Sequence, residues 1–128
     1  MEKKFKRLGD AELEIMQVIW AAGEPVNSAH IQTAMQGKRG WALPTLLTAL
    51  SRLCEKGFLT SEKQGRNNFY TASVGEAEYQ RSEGKTILEK LYGNSVTGLM
   101  AALYDGKSIE KKDLDELQKF LDERRETG

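Results

Sequence analysis

One face of a predicted helix carries side chains that are suited to hydrogen bonding with a partner. The helix runs from Pro44 to about Lys56, and its period of 3.6 residues separates a polar side from a row of leucines. Threonine hydroxyls can donate to or accept from base edges, and arginine can hold a phosphate. The same pattern is typical of the solvated face of an ordinary amphipathic helix, so both interpretations remain open for this helix alone. The polar residues are Thr45, Thr48, Ser51, Arg52, Glu55 and Lys56.

A predicted β-hairpin adds a second cluster of basic and amide side chains. Its strands cover residues 58–63 and 67–72, and Gly65 in the turn allows a positive φ. Lys63 and Arg66 lie at or beside the tip, and Lys38 and Arg39 form a basic turn upstream. Lysine and arginine supply affinity for a phosphate backbone regardless of base sequence. Helix and hairpin together favour a nucleic-acid interface over a plain solubilising surface.

The elements that must position these residues predict a mostly α fold with two regions. In residues 1–75 the order is helix, short extended segment at Val26, helix, helix and hairpin. This order is the winged form of the helix-turn-helix, three helices with a β-hairpin wing. Residues 76–128 are predicted to form a helical dimerisation region. The predicted helices cover 10–21, 28–36, 44–56, 76–92, a segment from Asn94 or Ser95 to Tyr104, and a last one capped by Ser108.

The C-terminal helices carry apolar stripes in a segment too small to cover them. Helices of this kind commonly bury their stripes against another copy of the same chain. We therefore predict a homodimer. The residues expected in its interface are Leu88, Leu91, Leu114, Leu117, Phe120 and Leu121.

Composition excludes several classes of function. The chain has 128 residues and a net charge of zero, but residues 1–75 carry +3 and residues 76–128 carry −3. This small split favours DNA only slightly. Because His30 and Cys54 are the only histidine and cysteine, no nucleophilic triad or multi-cysteine metal site can be built. We predict no enzymatic activity, no metal and no cofactor.

The chain is expected to be cytoplasmic, without membrane insertion. No apolar run approaches the roughly 20 residues needed to span a bilayer. The basic start at Lys3, Lys4, Lys6 and Arg7 is followed by acidic residues rather than by the apolar core of a signal peptide.

Four segments resemble the penicillinase repressor family, the BlaI/MecI/CopY group. They are LGDAELEIMQVIW, TLLTALSRLCEKGFL, EKQGRNNFYTA and LEKLYGNSVTGLMAAL. The resemblance implies a homodimeric winged-helix repressor of a palindromic operator in duplex DNA. It also implies that Thr45, Thr48 and Arg52 match the family's recognition-helix residues, and that Gly65-Arg66 matches its wing. Pro44 replaces a lysine expected in β-lactam-responsive members, so one DNA contact is expected to be missing.

The resemblance leaves the inducing signal open. Members that sense β-lactams are cut at an Asn-Phe bond through a membrane sensor protease, and that bond falls at Ala102-Leu103 here. The scissile pair is absent, and so are the paired Cys-x-Cys motifs of the copper-responsive members. We expect release by another protease or another signal. The alternative function is a winged-helix module that binds a protein instead of DNA. The basic turn and the basic wing both favour DNA.

Overall fold

The computed structural model describes residues 5–127 and divides into two compact units, Met1–Glu83 and Gly84–Gly128. Lys3 and Lys4 of the basic start lie outside the described residues. The order of elements in the first unit agrees with the prediction. Through both units, the elements are α1 (Asp10–Ala22), β1 (Val26–Asn27), α2 (Ser28–Met35), α3 (Leu43–Glu55), β2 (Leu59–Gln64), β3 (Asn67–Ala72), α4 (Glu76–Tyr92), α5 (Val96–Asp105) and α6 (Lys111–Thr127).

Local signals set the start of α2 and both ends of α3. The side chain of Asn27 caps α2 by accepting from the backbone N–H of His30 at 2.9 Å. Helix α3 begins one residue before Pro44, which lies in the first turn, where a missing N–H breaks no bond of the helix. Gly57 follows the end of α3 with a φ of +85°, which glycine adopts without strain.

The three strands form one antiparallel sheet in the order β1-β3-β2. Strand β1 pairs Val26 with Tyr70, which ties the hairpin to the helices. Strands β2 and β3 pair up to Gln64 and Asn67, so two residues form the turn. The first of them, Gly65, has a φ of +64°, as expected for a tight hairpin turn.

The first unit has one hydrophobic core, and α4 contributes to it. The ring of Tyr79 lies 5.7 Å from that of Phe58 and 6.1 Å from that of Trp20, and its hydroxyl accepts from the backbone N–H of Leu8 at 2.9 Å. The compact first unit extends to Glu83. The division into a DNA-binding region (1–75) and a dimerisation region (76–128) stays a prediction. The other buried apolar residues are Ile15, Met16, Ile19, Val26, Ile31, Met35, Leu46, Leu50, Leu53, Leu59, Tyr70 and Val74.

The second unit has no core of its own. Between Gly84 and Glu126, where the structure describes side-chain burial, no residue is buried. Its most exposed large apolar residue is Leu91, at 73%. Of the predicted interface residues, Phe120 and Leu121 are also exposed, while Leu88, Leu114 and Leu117 are half-buried.

Two helix starts in the second unit refine the prediction. Ser95, not Asn94, caps α5, since its hydroxyl accepts from the N–H of Gly98 at 2.9 Å. The prediction that Ser108 caps the last helix is wrong. Helix α6 begins at Lys111, where the carboxylate of Asp113 accepts from the N–H of Glu110 at 2.7 Å.

Candidate nucleic-acid interface

The exposed face of α3 brings four of the predicted site residues together. Thr45, Thr48, Ser51 and Arg52 are all exposed. On the opposite face, the three leucines at positions 46, 50 and 53 are at most 1% exposed. The helix is therefore fixed by its apolar side, and its polar side is presented outward. Thr45, Thr48 and Arg52 also line one groove.

Thr48 has a defined hydrogen-bonding state. Its hydroxyl donates to the carbonyl of Pro44 at 3.0 Å, one turn earlier in the helix. A threonine bonded in this way keeps its oxygen lone pairs as acceptors and its methyl group as an apolar contact. The exposed side chain can therefore accept from an amino group on a base edge.

An ion pair ties the end of α3 to the start of α1. The ammonium of Lys56 donates to the two carboxylate oxygens of Glu12, at 2.7 and 2.9 Å. The same carboxylate accepts from the backbone N–H of Gly9 at 3.0 Å. Burial raises the pKa of Glu12, but the bonds from Lys56 and Gly9 outweigh it, and the net pKa lies below its ordinary value. Glu12 therefore stays ionised and holds α3 in place.

In the predicted basic turn, one side chain is exposed to solvent and the other is bound to neighbouring residues. Lys38 is exposed. Arg39 forms a salt bridge with Glu14, and its guanidinium lies 5.9 Å from the ring centroid of Trp41. The sequence did not predict this engagement, because the partners of Arg39 lie on other segments of the chain.

The wing presents its two predicted basic residues to solvent. Lys63 and Arg66 are exposed, and Lys63 pairs with Asn68 across the hairpin. The tip is short because Gly65 closes the turn. A short turn keeps both basic side chains near the end of a hydrogen-bonded ladder.

Two residues of this region were missed as parts of the site. Trp41 is half-buried and lines the groove beside Thr45. Glu12 also belongs to this region, because it anchors Lys56. Cys54 is half-buried, and burial raises the pKa of its thiol, which disfavours the reactive thiolate.

Comparisons with known proteins agree with this geometry. The family model for the penicillinase repressor matches residues 8–123. An uncharacterised 16.5 kDa protein of Latilactobacillus sakei is 35% identical over 94% of this chain and 82% of its own length. The penicillinase repressor of Bacillus licheniformis is 28% identical over 96% of this chain and 95% of its own.

A solved structure extends the comparison to the fold. The solution structure of Bacillus licheniformis BlaI, a monomeric form in complex with the blaP half-operator, is 35% identical to this chain. It covers 62% of this chain and 94% of the other, with a TM-score of 0.51.

The fold and the exposed face of α3 define a winged-helix protein. The chain belongs to the penicillinase repressor family. This is a family of transcriptional repressors and not of enzymes, so the chain is a DNA-binding repressor. Among the described helices, none combines the length and the apolar character needed to cross a membrane.

Proposed function

We propose that this chain represses transcription as a homodimer on a palindromic operator, with α3 in the major groove and the wing on the DNA backbone. The observation that carries the proposal is the exposed polar face of α3, backed by leucines that are fully buried. A helix held in this way can present its side chains without rearrangement. Membership of the repressor family, and a relative solved with a half-operator, support DNA as the partner.

The side chains divide into base readers and phosphate contacts. Thr45 and Thr48 lie in the first half of α3, the part of a recognition helix that meets base edges, and Ser51 continues this face. Arg52 lies in the second half of α3, where a guanidinium contacts phosphate. The DNA backbone is contacted at other points by Lys38, Lys63 and Arg66. Arg39 is bound to Glu14 and supports Trp41 instead.

The second unit supplies the dimer. Three helical segments with no buried residue from Gly84 to Glu126 cannot be stable by hydrophobic burial within one chain. A second copy would cover Leu91, Phe120 and Leu121, together with the half-buried leucines beside them. An obligate interface of this kind buries on the order of 2,000 Å² or more.

The releasing signal acts without the family's usual cleavage site. The pair Ala102-Leu103 lies inside α5, where Ala102 is exposed and Leu103 is half-buried. A helical bond must unfold locally before a protease can bind it in extended form. A membrane sensor protease of different specificity remains the alternative route of release. A repressor acts where the chromosome lies, so we place the chain in the cytoplasm.

Footprinting on the DNA upstream of its own gene tests the proposal. We expect protection of two symmetric half-sites, spaced by a multiple of one helical turn, about 10–10.5 base pairs. Arg52→Ala and Arg66→Ala should each weaken binding to all sequences and reduce the salt slope by roughly one unit. If no duplex binds in a salt-dependent way even at low salt, the proposal fails and the protein-binding alternative is favoured.

A further inference from the structure

A groove in the first unit lies between the start of α1 and the exposed face of α3. Its volume is about 420 Å³, within the range of small-molecule sites, roughly 300–1,000 Å³. Trp41, Ala11 and Ala49 give it apolar walls, and Thr45, Thr48 and Arg52 form its polar side. Apolar walls with a few polar groups are typical of a site for a small ligand rather than of a plain surface dent.

Trp41 has one neighbour at its backbone and another at its ring. Its backbone carbonyl accepts from the side-chain amide of Gln32 at 3.0 Å. The guanidinium of Arg39, itself fixed by Glu14, lies 5.9 Å from the ring centroid. Trp41 is therefore an aromatic wall in place before any ligand arrives. Aromatic rings pack favourably against such a wall in offset or edge-on arrangements.

The charge available in the groove is positive. Glu12 also lines it, but its oxygens accept from Lys56 and from the N–H of Gly9. Arg52 is exposed and forms no salt bridge with any described residue, although its positive charge also helps to lower the pKa of Glu12. A guanidinium matches the geometry of a carboxylate and can bind it through two parallel hydrogen bonds. The groove therefore favours an anion that also carries a flat ring.

We propose that this groove binds a small planar aromatic carboxylate, with the ring against Trp41 and the carboxylate on Arg52. The consequence for DNA rests on the proposed function: Thr45, Thr48 and Arg52 are also the residues proposed to face the duplex. Ligand and duplex then exclude each other, and the ligand acts as an inducer without any cut in the chain.

Tryptophan fluorescence tests the site without DNA. The probe is benzoate, with benzamide as a neutral ring and acetate as an anion without a ring. The chain has two tryptophans, so Trp20→Phe leaves only Trp41 as reporter, and Trp41→Phe leaves only Trp20. The Trp20 indole donates to the carbonyl of Val74 and does not line the groove. Circular dichroism of both variants checks that they fold.

Benzoate should quench Trp41 with a Kd of about 1 mM, the range for a ligand of this size. The Trp41→Phe variant should show no saturable quenching, and Arg52→Gln should weaken binding about tenfold. Benzamide and acetate should bind at least about tenfold more weakly than benzoate. Quenching that survives Trp41→Phe, or equal binding of benzamide or of the cation benzylamine, would overturn the assignment.

Competition is measured with a fluorescent mixed-sequence duplex at low salt. Benzoate at ten times its Kd should weaken apparent DNA affinity about tenfold, whereas acetate at equal ionic strength should not. If benzoate binds at Trp41 while DNA binding is unchanged, the competition is refuted. If benzoate binds but no duplex does, the proposed function fails and the ligand site stands.

Discussion

The contact between Glu12 and Lys56 should stabilise the fold in a pH-dependent way. Its two donor–acceptor distances are 2.7 and 2.9 Å, and the side chains are only 18% and 29% exposed. A hydrogen bond to a charged group contributes about 1.5–3 kcal/mol when shielded, and an exposed ion pair about 0–1 kcal/mol. For this partly shielded pair we expect Glu12→Gln to lower the free energy of unfolding by about 1–2 kcal/mol at pH 7.

The pKa of folded Glu12 lies below its ordinary value of 4.5, so its stabilisation is present above that pH. It is lost as the pH falls through the folded pKa, because the protonated acid, like glutamine, carries no charge. The difference between the native chain and Glu12→Gln should therefore be constant from pH 7 to pH 5, shrink below 4.5, and vanish once Glu12 is protonated. Urea unfolding followed by circular dichroism at each pH measures it.

Glu24→Gln is the matched control. Glu24 is exposed and forms no salt bridge with another described residue. Its removal should change the free energy of unfolding by less than about 0.5 kcal/mol. Equal effects of the two substitutions would refute the role of the ion pair. An effect of Glu12→Gln that persists unchanged in acid would show that charge is not its cause.

Three further outcomes follow from packing and backbone geometry. Tyr79→Phe leaves the buried backbone N–H of Leu8 without its acceptor and should lower the free energy of unfolding by about 1–3 kcal/mol. The control Tyr104→Phe, on the exposed surface, should change it by less than about 0.5 kcal/mol. Equal urea midpoints for the two variants would contradict this prediction. If the chain forms the proposed dimer, Leu121→Asp should convert it to a monomer in sedimentation velocity. A native chain that sediments as a monomer at micromolar concentration would disprove the proposed dimer. Gly65→Ala places a residue with a Cβ atom at a φ of +64° and should lower the melting temperature. Gly84→Ala, in a helix with open space around it, should raise the melting temperature. Shifts of the same sign would be inconsistent with these conformations.

The amphipathic face of α3 was predictable because its cause is local. A period of 3.6 residues separates Thr45 and Thr48 from Leu46 and Leu50 in the sequence, and the structure has the same separation. The hairpin was equally predictable from the sequence, since Gly65 marks the turn by its freedom to adopt a positive φ. Such features depend on neighbours within a few residues, which the sequence displays directly.

The contacts that position α3 were not predictable because they join distant segments. Glu12 and Lys56 are 44 residues apart, and Arg39 and Glu14 are 25 apart. Judged from the sequence alone, each of these residues is typical of a solvated helix face or a basic turn. Their pairing depends on how α1 packs against its neighbours, which periodicity does not specify.

Competing local signals explain the errors in the second half of the chain. Ser108 is a favoured capping residue, yet Lys107 adopts a φ of +60° and the helix starts only where Asp113 can accept from the N–H of Glu110. The contribution of Tyr79 to the core of the first unit was not predictable, because in the sequence it is one more apolar residue on α4. Only packing reveals that its ring joins the core around Phe58.

Binding-site selection from a randomised duplex pool shows whether the exposed face of α3 reads DNA. Four proteins are compared at one salt concentration: the native chain, the double variant Thr45→Ala/Thr48→Ala, Arg52→Ala and a control. The control is Thr33→Ala, on the exposed surface of α2. The double variant should lose preference at the bases under α3, by about 1–3 kcal/mol per contact. Arg52→Ala should keep the preference but bind every sequence more weakly, and Thr33→Ala should match the native chain. An unchanged preference and affinity for the double variant would show that this face of α3 does not read the bases.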